Sequence, residues 1–310
     1  MSGSEVGITA AEKQYVMGVD IGGTKILYAI ADAEGQIVHT RKEQTTDDFH
    51  VIAEQTAACA AEAGLRMEKI AAVGFGIPGI TDTRDGVVIE APAFGWNRFP
   101  FKEQIAVHVR KPVFINNDVN CAALGEKWIG TAKNCADFVF IAIGTGVGSA
   151  IVANGALVQG SGYMAGEIGY FVTGEESGDT PVNRFGQFGT FEKKTSGLAL
   201  SGHGMTSRQL FERYLQGDSG AAVIIDRFVS DLAAGIANVV SLLNPGMVVI
   251  GGGVSGSMQA VLDQLRAKVA RLTPVPAEIV LSSLGEQAGA VGAAAYALEQ
   301  AELLKRTPRR

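Results

Sequence analysis

"VDIGGTKILYAIADAEGQIV", residues 19–38, decides the fold. An apolar strand runs into Asp20, Gly22, Gly23, Thr24 and Lys25, and the chain then continues as a second strand, because residues 26–32 alternate and carry β-formers. In dinucleotide and P-loop sites the glycine turn feeds a helix whose N-terminus holds phosphate. No such helix follows here, so the turn has only its own consecutive N–H groups and the Thr24 hydroxyl to offer an anion. Asp20, at the strand end, is placed to hold a hydrated Mg²⁺, which takes one or two carboxylates plus phosphate oxygens. An ordinary glycine-rich hairpin would have the same local sequence.

The surrounding pattern predicts strands over 15–20, 26–32 and 36–40, a helix over 48–64, a strand over 70–76, a Pro/Gly-rich loop, a strand over 112–116 and a helix over 119–128. That order recurs. "FVFIAIGTGVGSAIVANGALV" at 138–158 is again strand, Gly/Thr turn, strand, Asn-Gly turn, strand, offset by 122 residues when Ile21-Gly22 is laid on Ile143-Gly144. Helices over much of 192–243, a strand over 247–250, a helix near 256–271, a strand over 278–282 and a helix over 287–303 complete the chain. The expected architecture is α/β with two similar lobes and a cleft between them: an N-terminal lobe at 1–130, a C-terminal lobe at 131–286, and a final segment at 287–310 whose helix packs back on the N-terminal lobe. Gly144, Thr145 and Gly146 would then grip phosphate from the side opposite Gly22, Gly23 and Thr24.

Composition narrows the function classes. The chain has 310 residues, 47% of them hydrophobic, which is enough for about two cores. A net charge of −6 argues against a nucleic-acid surface. The three cysteines, Cys59, Cys121 and Cys135, form no CxxC pair and suit a reducing compartment, and no apolar run reaches the roughly 18 residues that span a bilayer, so a cytoplasmic protein is expected. Glycine is in excess, 40 residues, and clusters in turns beside apolar runs.

"GGGVSG" at 251–256 fits the dinucleotide fingerprint and follows an apolar strand, but "EIVLSS" lacks the acid that should end the next strand. Close approach of a nucleotide to this glycine-lined backbone is the better reading. "VFINNDVNCAALGEKW" runs a strand into Asn116, Asn117 and Asp118 and then a helix, whose amides and dipole favour an ionised Asp118 able to accept a proton. An N-cap role for Asp118 is equally open on this segment. "GFGIPG" at 74–79, "GWN" at 95–97 and "GEIGY" at 166–170 add a tight loop, an indole face, an amide and Glu167, the groups that read sugar hydroxyls and cover a sugar ring.

With "DIGGTK", "GIPG", "GWN", "INNDVN", "IGTGVGS", "GEIGY" and "IGGGVS" in this order, the chain resembles the ROK family of bacterial sugar kinases and sugar-responsive repressors over residues 15–300. The resemblance implies a fold of the actin and hexokinase (ribonuclease H-like) type, a homodimer, and transfer of the ATP γ-phosphoryl group to a sugar hydroxyl. It implies phosphate contacts from Gly22, Gly23, Thr24, Lys25, Gly144, Thr145 and Gly146, with Gly251, Gly252 and Gly253 near the adenosine. Asp118 looks like the catalytic base, and Gly79, Asn97, Asn117, Glu167, Tyr170 and Glu192 look like the sugar side.

One departure stands out. Family members carry a structural zinc on the His of E-x-G-H and three Cys of C-x-C-G-x-x-G-C, but this chain reads "EIGY" and "NRFGQFGTFE", with Tyr170, Asn183, Phe185 and Thr190 at the four ligand positions. Such a set cannot build a tetrahedral thiolate site, so no zinc is expected, and packing by Phe185, Phe188 and Phe191 would have to support the loop. Tyr170 in place of a sugar-touching His leaves the sugar open. Two readings follow: an ATP-dependent sugar kinase, and a non-catalytic sugar sensor. The sensor would act through a protein partner, since only about 14 residues precede the first strand and a helix-turn-helix needs several helices.

Overall fold

The computed structural model describes residues 14–173, 189–202 and 204–306, with side chains as far as Glu302. The first half runs β1 (Tyr15–Ile21), β2 (Lys25–Asp32), β3 (Ile37–Gln44), α1 (Phe49–Glu62), β4 (Ile70–Ile77), β5 (Ile80–Asp82), β6 (Val87–Ala91), β7 (Trp96–Phe99), α2 (Phe101–Val109), β8 (Val113–Asn117) and α3 (Asp118–Trp128). The second half runs β9 (Phe138–Ile143), β10 (Val147–Ala153), β11 (Ala156–Val158), α4 (Thr190–Thr195), α5 (Gly197–Ser201), α6 (Ser207–Leu215), α7 (Ser219–Leu243), β12 (Met247–Gly251), α8 (Ser255–Met258), α9 (Leu262–Leu272), β13 (Glu278–Leu281) and α10 (Ala288–Arg306).

Two five-stranded sheets carry the same topology, ordered β3-β2-β1-β4-β8 and β11-β10-β9-β12-β13. In each, the first strand pairs antiparallel with the second and parallel with the fourth, which is parallel to the fifth. Ile21 and Ile143 end β1 and β9, so both Gly/Thr turns occupy the same corner of their sheets.

The strands read differently in sequence because they are covered differently. β3 alternates half-buried with exposed residues, as an edge strand with one wet face does. β2 is buried along nearly its whole length, because Ile26, Tyr28 and Ile30 pack into the core with Ile52 and Cys59 of α1 while Leu27 and Ala29 meet Ala290 and Val291 of α10. In the second half, Phe228, Leu232 and Ile236 of α7 and Leu265 and Val269 of α9 pack on Ile141, Ile143, Val248 and Ile250. The helix α7 starts on Asp218, whose carboxylate accepts from Ala221 N at 2.8 Å, and stops at Asn244 in the left-handed conformation.

The segment after β4, expected as a Pro/Gly-rich loop, is instead the three-stranded antiparallel sheet β5-β6-β7 followed by α2. Its strands are three to five residues long, too short for period-2 alternation to stand out. Asp82 shapes the first hairpin by accepting from Arg84 N (3.0 Å) and Asp85 N (3.1 Å). Among the described residues no helix is long and apolar enough to cross a membrane.

The last helix crosses back onto the first sheet at backbone distance. A Cβ added at Gly18 of β1 would lie 1.8 Å from the Ala290 carbonyl oxygen, one at Gly74 of β4 1.9 Å from that of Ala293, and one at Gly292 1.5 Å from that of Cys121 in α3. Only glycines permit so close a seat. Gly292→Ala is therefore expected to lower stability by about 3 kcal/mol or more through overpacking, whereas Gly256→Ala, where nothing lies within 4 Å, leaves the melting temperature unchanged or higher. Thermal melts of the two variants check this.

Candidate active site

Nine of the residues singled out in the sequence line one cavity of about 570 Å³ between the two sheets. Gly79, Asn117 and Asp118 line it from the first half; Gly144, Thr145, Gly146, Glu167, Tyr170 and Glu192 line it from the second. A smaller cavity of about 280 Å³ is lined by Gly144, Thr145, Gly197, Leu198, Ser201, Ser207, Gly253 and Val254. The two cavities share Gly144 and Thr145, so the second Gly/Thr turn is the wall between them.

Both turns have their carbonyls held from one side. Thr45 Oγ1 donates to the Gly22 carbonyl (2.6 Å) and Thr45 N to that of Thr24 (3.3 Å). Gly197 N donates to the Gly144 carbonyl (2.8 Å) and Leu198 N to that of Thr145 (3.4 Å). In a trans peptide the N–H points opposite to the C=O, so these contacts turn the amides of Gly23, Thr145 and Gly146 to the other side. Gly23, Thr24 and Thr145 are exposed. Gly22 and Gly144 do not contribute amides, since Gly22 N donates to the Lys25 carbonyl (2.9 Å) and Gly144 N to that of Gly146 (3.0 Å).

Asp118 is the first residue of α3, and the N-cap is Asn117, whose Oδ1 accepts from Asn120 N at 3.0 Å. Asn117 Nδ2 donates to the Gly79 carbonyl (2.9 Å), tying the cap to the loop after β4. Gly79 itself has φ +103°, and a Cβ there would lie 2.2 Å from the Glu90 carbonyl oxygen, so the loop can turn into the cavity only as glycine. Asp118 is thus free of the capping role that the sequence left open.

Electrostatically the site is a set of carboxylates removed from water. Burial pushes the Asp118 carboxyl above its ordinary range; hydrogen bonds from the amides of Val119 and Asp118 and from Asn117 pull the other way and are outweighed. The expected dominance of the helix N-terminus is therefore reversed, and Asp118 is more basic than an exposed aspartate. Asp20 is pushed up to about 8 by burial and by Asp118, against the field of Lys25. Glu167 is pushed up to about 7 by burial, Asp118 and Glu192. Glu192 is also raised by burial, while its Oε2 accepts from Val147 N at 2.7 Å, just past the second turn.

Other sequence candidates take other places. Asn97 is exposed on β7, opposite Glu90 in the strand register, and it is Glu90 that lines the cavity. Trp96 turns its face to Phe94 and Phe99, at 4.6 and 5.2 Å between ring centroids, rather than to the cavity. Lys25 Nζ is paired with Glu286, which also holds Lys42 at 3.1 Å. Gly251 faces the Phe140 ring, Gly252 turns at φ +86°, and of the three glycines Gly253 lines the smaller cavity. Glu90, Ser149 and Met164 were not singled out in the sequence; an acid in a short strand and a lone Met carry no spacing that would have marked them.

The model of the ROK family matches residues 16–300. The chain belongs to the ROK family. It is 32% identical over 308 residues to a glucokinase of Halalkalibacterium halodurans, covering 90% of this chain and 93% of that one. It is 30% identical over 274 residues to an N-acetyl-D-glucosamine kinase of Escherichia coli, covering 83% and 90%. The crystal structure of a ROK family glucokinase from Streptomyces griseus in complex with glucose and AMPPNP superposes with a TM-score of 0.77 at 31% identity, covering 92% of this chain and 99% of that one. The fold is the two-lobed actin and hexokinase type.

At the positions of the ROK family's zinc ligands, Asn183 and Phe185 lie outside the described residues, as does Phe188. Thr190 Oγ1 donates to the Phe171 carbonyl (2.9 Å) and accepts from Thr173 N (3.2 Å). Phe191 is buried, 6.1 Å from the Phe171 ring and against Gly235. Tyr170 lines the cavity.

Raised carboxyls give a pH signature. The folded state holds protons on Asp20 and Glu167 that the unfolded chain releases near pH 4, so stability is lost as pH rises from about 4 through the folded values of about 8 and about 7. The ligand-free protein is expected to melt a few degrees lower at pH 8 than at pH 6. Asp20→Asn and Glu167→Gln should each flatten that slope, as melts across the pH range would show.

Proposed function

We propose that this chain is an ATP-dependent sugar kinase in which Asp118 is the general base. The observation that carries this reading is that Asp118 and the turn 144–146 line one cavity, while the same turn closes a second cavity lined by Gly253 and the start of α5. A sugar in the first and a nucleotide in the second would meet at that turn, with the acceptor hydroxyl beside Asp118.

The reaction follows from those positions. The Asp118 carboxylate accepts the proton of the sugar hydroxyl as its oxygen attacks the γ-phosphorus of ATP; the new P–O bond forms, the bond to the β-phosphate oxygen breaks, and ADP leaves. A carboxyl made more basic by burial is better suited to that proton than an exposed one. The outward amides of Gly23, Thr145 and Gly146 and the Thr24 hydroxyl are donors for the phosphate oxygens. Glu90, Glu167 and Glu192 are acceptors for the remaining sugar hydroxyls, with Pro78, Ile80 and Met164 as the apolar wall.

Asp20 is the residue whose charge a divalent cation would complement: it flanks Gly76 together with Asp118, and burial and Asp118 both raise its carboxyl, which a nearby positive ion would offset. Asp20 would hold Mg²⁺ through water, and the ion would supply charge neutralisation at the phosphates.

The test is ADP release with Mg·ATP over a panel of hexoses, amino sugars and N-acetyl sugars. Sugar-dependent turnover is expected, falling by about 10²–10⁴ in Asp118→Asn with the melting temperature retained. Turnover that survives Asp118→Asn would remove Asp118 from the role of base; saturable sugar binding without turnover would instead establish a sensor.

A further inference from the structure

The two walls of the larger cavity come from different sheets. Pro78, Ile80 and Glu90 belong to the segment after β4, Met164 and Glu167 to the segment after β11. Beyond the lining residues, two side-chain bonds join the same two segments. Thr83 Oγ1 donates to Gln159 Oε1 at 2.8 Å, and the Tyr163 hydroxyl donates to the Asp82 carboxylate.

Three features mark these bonds as built into the site. Asp82 is fixed from behind by the amides of Arg84 and Asp85, so it meets Tyr163 as a preset acceptor. Thr83 also bonds Tyr296, tying the hairpin to α10. Tyr163 has φ +61°, the left-handed region that bulky residues rarely adopt and that persists only where the surroundings hold it. The strained residue immediately precedes Met164, a cavity residue, and Asp82 lies two residues beyond Ile80, another.

We propose that Tyr163–Asp82 and Thr83–Gln159 form a clasp between the two walls of the sugar cavity, with Tyr163 as a positioning residue that holds Met164 and Glu167 opposite Asp118. This rests on the kinase reading above. A kinase cleft has to admit its sugar and then exclude water, and two side-chain bonds between the segments are weak enough to break for entry and strong enough to favour closure. Asp118 and the turn 144–146 are held by other contacts, so the clasp governs sugar retention more than the chemical step.

The variants are Tyr163→Phe, which removes only the hydroxyl, and Gln159→Ala, which removes the other crossing bond. Hydrogen exchange on the ligand-free protein is compared with kinetics using glucose or N-acetylglucosamine and Mg·ATP. Each variant is expected to exchange amides 159–167 and 80–91 about fivefold faster and to raise the sugar KM by a similar factor, with kcat within about twofold and the melting temperature unchanged. Wild-type exchange and KM in both variants would overturn the clasp. Absence of sugar-dependent ADP release from the wild type would sink the kinase reading instead, and the exchange comparison would still decide the clasp.

Discussion

The constraint on which the rest depends is the backbone contact between α10 and the first sheet. Gly18, Gly74 and Gly292 let that helix sit against β1, β4 and α3 without side chains between. This seat makes β2 a strand buried on both faces and fixes α3, whose first residue is Asp118. It also brings Gly289 over Asp20, which is how a carboxylate at the end of a strand comes to be desolvated. The other end of α3 is fixed as well: buried Glu126 accepts from Thr131 N (2.7 Å), Ser282 Oγ (2.5 Å) and Leu284 N (3.1 Å), so the helix is tied to the segment leading from β13 to α10. A chain that leaves the second sheet therefore sets the position of Asp118, which the first carries.

Burying Asp20, Asp118, Glu167 and Glu192 is unfavourable by itself, since each loses water, and Asp118 raises both Asp20 and Glu167 while Glu192 also raises Glu167. Core residues of similar volume would give a more stable protein. The groups that complement such a set are polyol hydroxyls, which donate to carboxylates, and a cation near Asp20. The outward amides of Thr145 and Gly146 face the opposite need, negative charge, and their turn lines this acidic cavity. An anion beside a polyol is what the two halves jointly accommodate.

The sequence carried the two hairpins and their Gly/Thr turns plainly, because a strand, a tight turn and a second strand were repeated with the same residue types 122 positions on. It carried Asp118, because a strand ending in Asn-Asn-Asp before a helix is locally unusual. It did not carry the sheet at 80–99, whose strands are too short to show a period, nor therefore Glu90. Asn97 and Trp96 do not line the cavity for one reason: a motif shows what residues are available, whereas packing of Trp96 on Phe94 and Phe99 decides which way the strand faces. Whether a helix N-terminus or burial governs Asp118 was likewise beyond local reading, since burial comes from α10 and the second sheet.

Where the chain departs most from the ROK pattern, Glu192 still reaches the second turn. Glu192 follows Thr190 by two residues, and its bond to Val147 N ties α4 to the strand that leaves the second turn. For that bond to form, the start of α4 must be held, and the described contacts do so by other means than thiolates: Thr190 closes on Phe171 and Thr173, and Phe191 fills the notch left by Gly235 of α7. A hydroxyl can satisfy two backbone groups at once, and a buried ring supplies large apolar contact, so both replacements act on the same backbone that a ligand set would have held. What changes is the lining of the cavity, because Tyr170 stands where the family pattern places an imidazole.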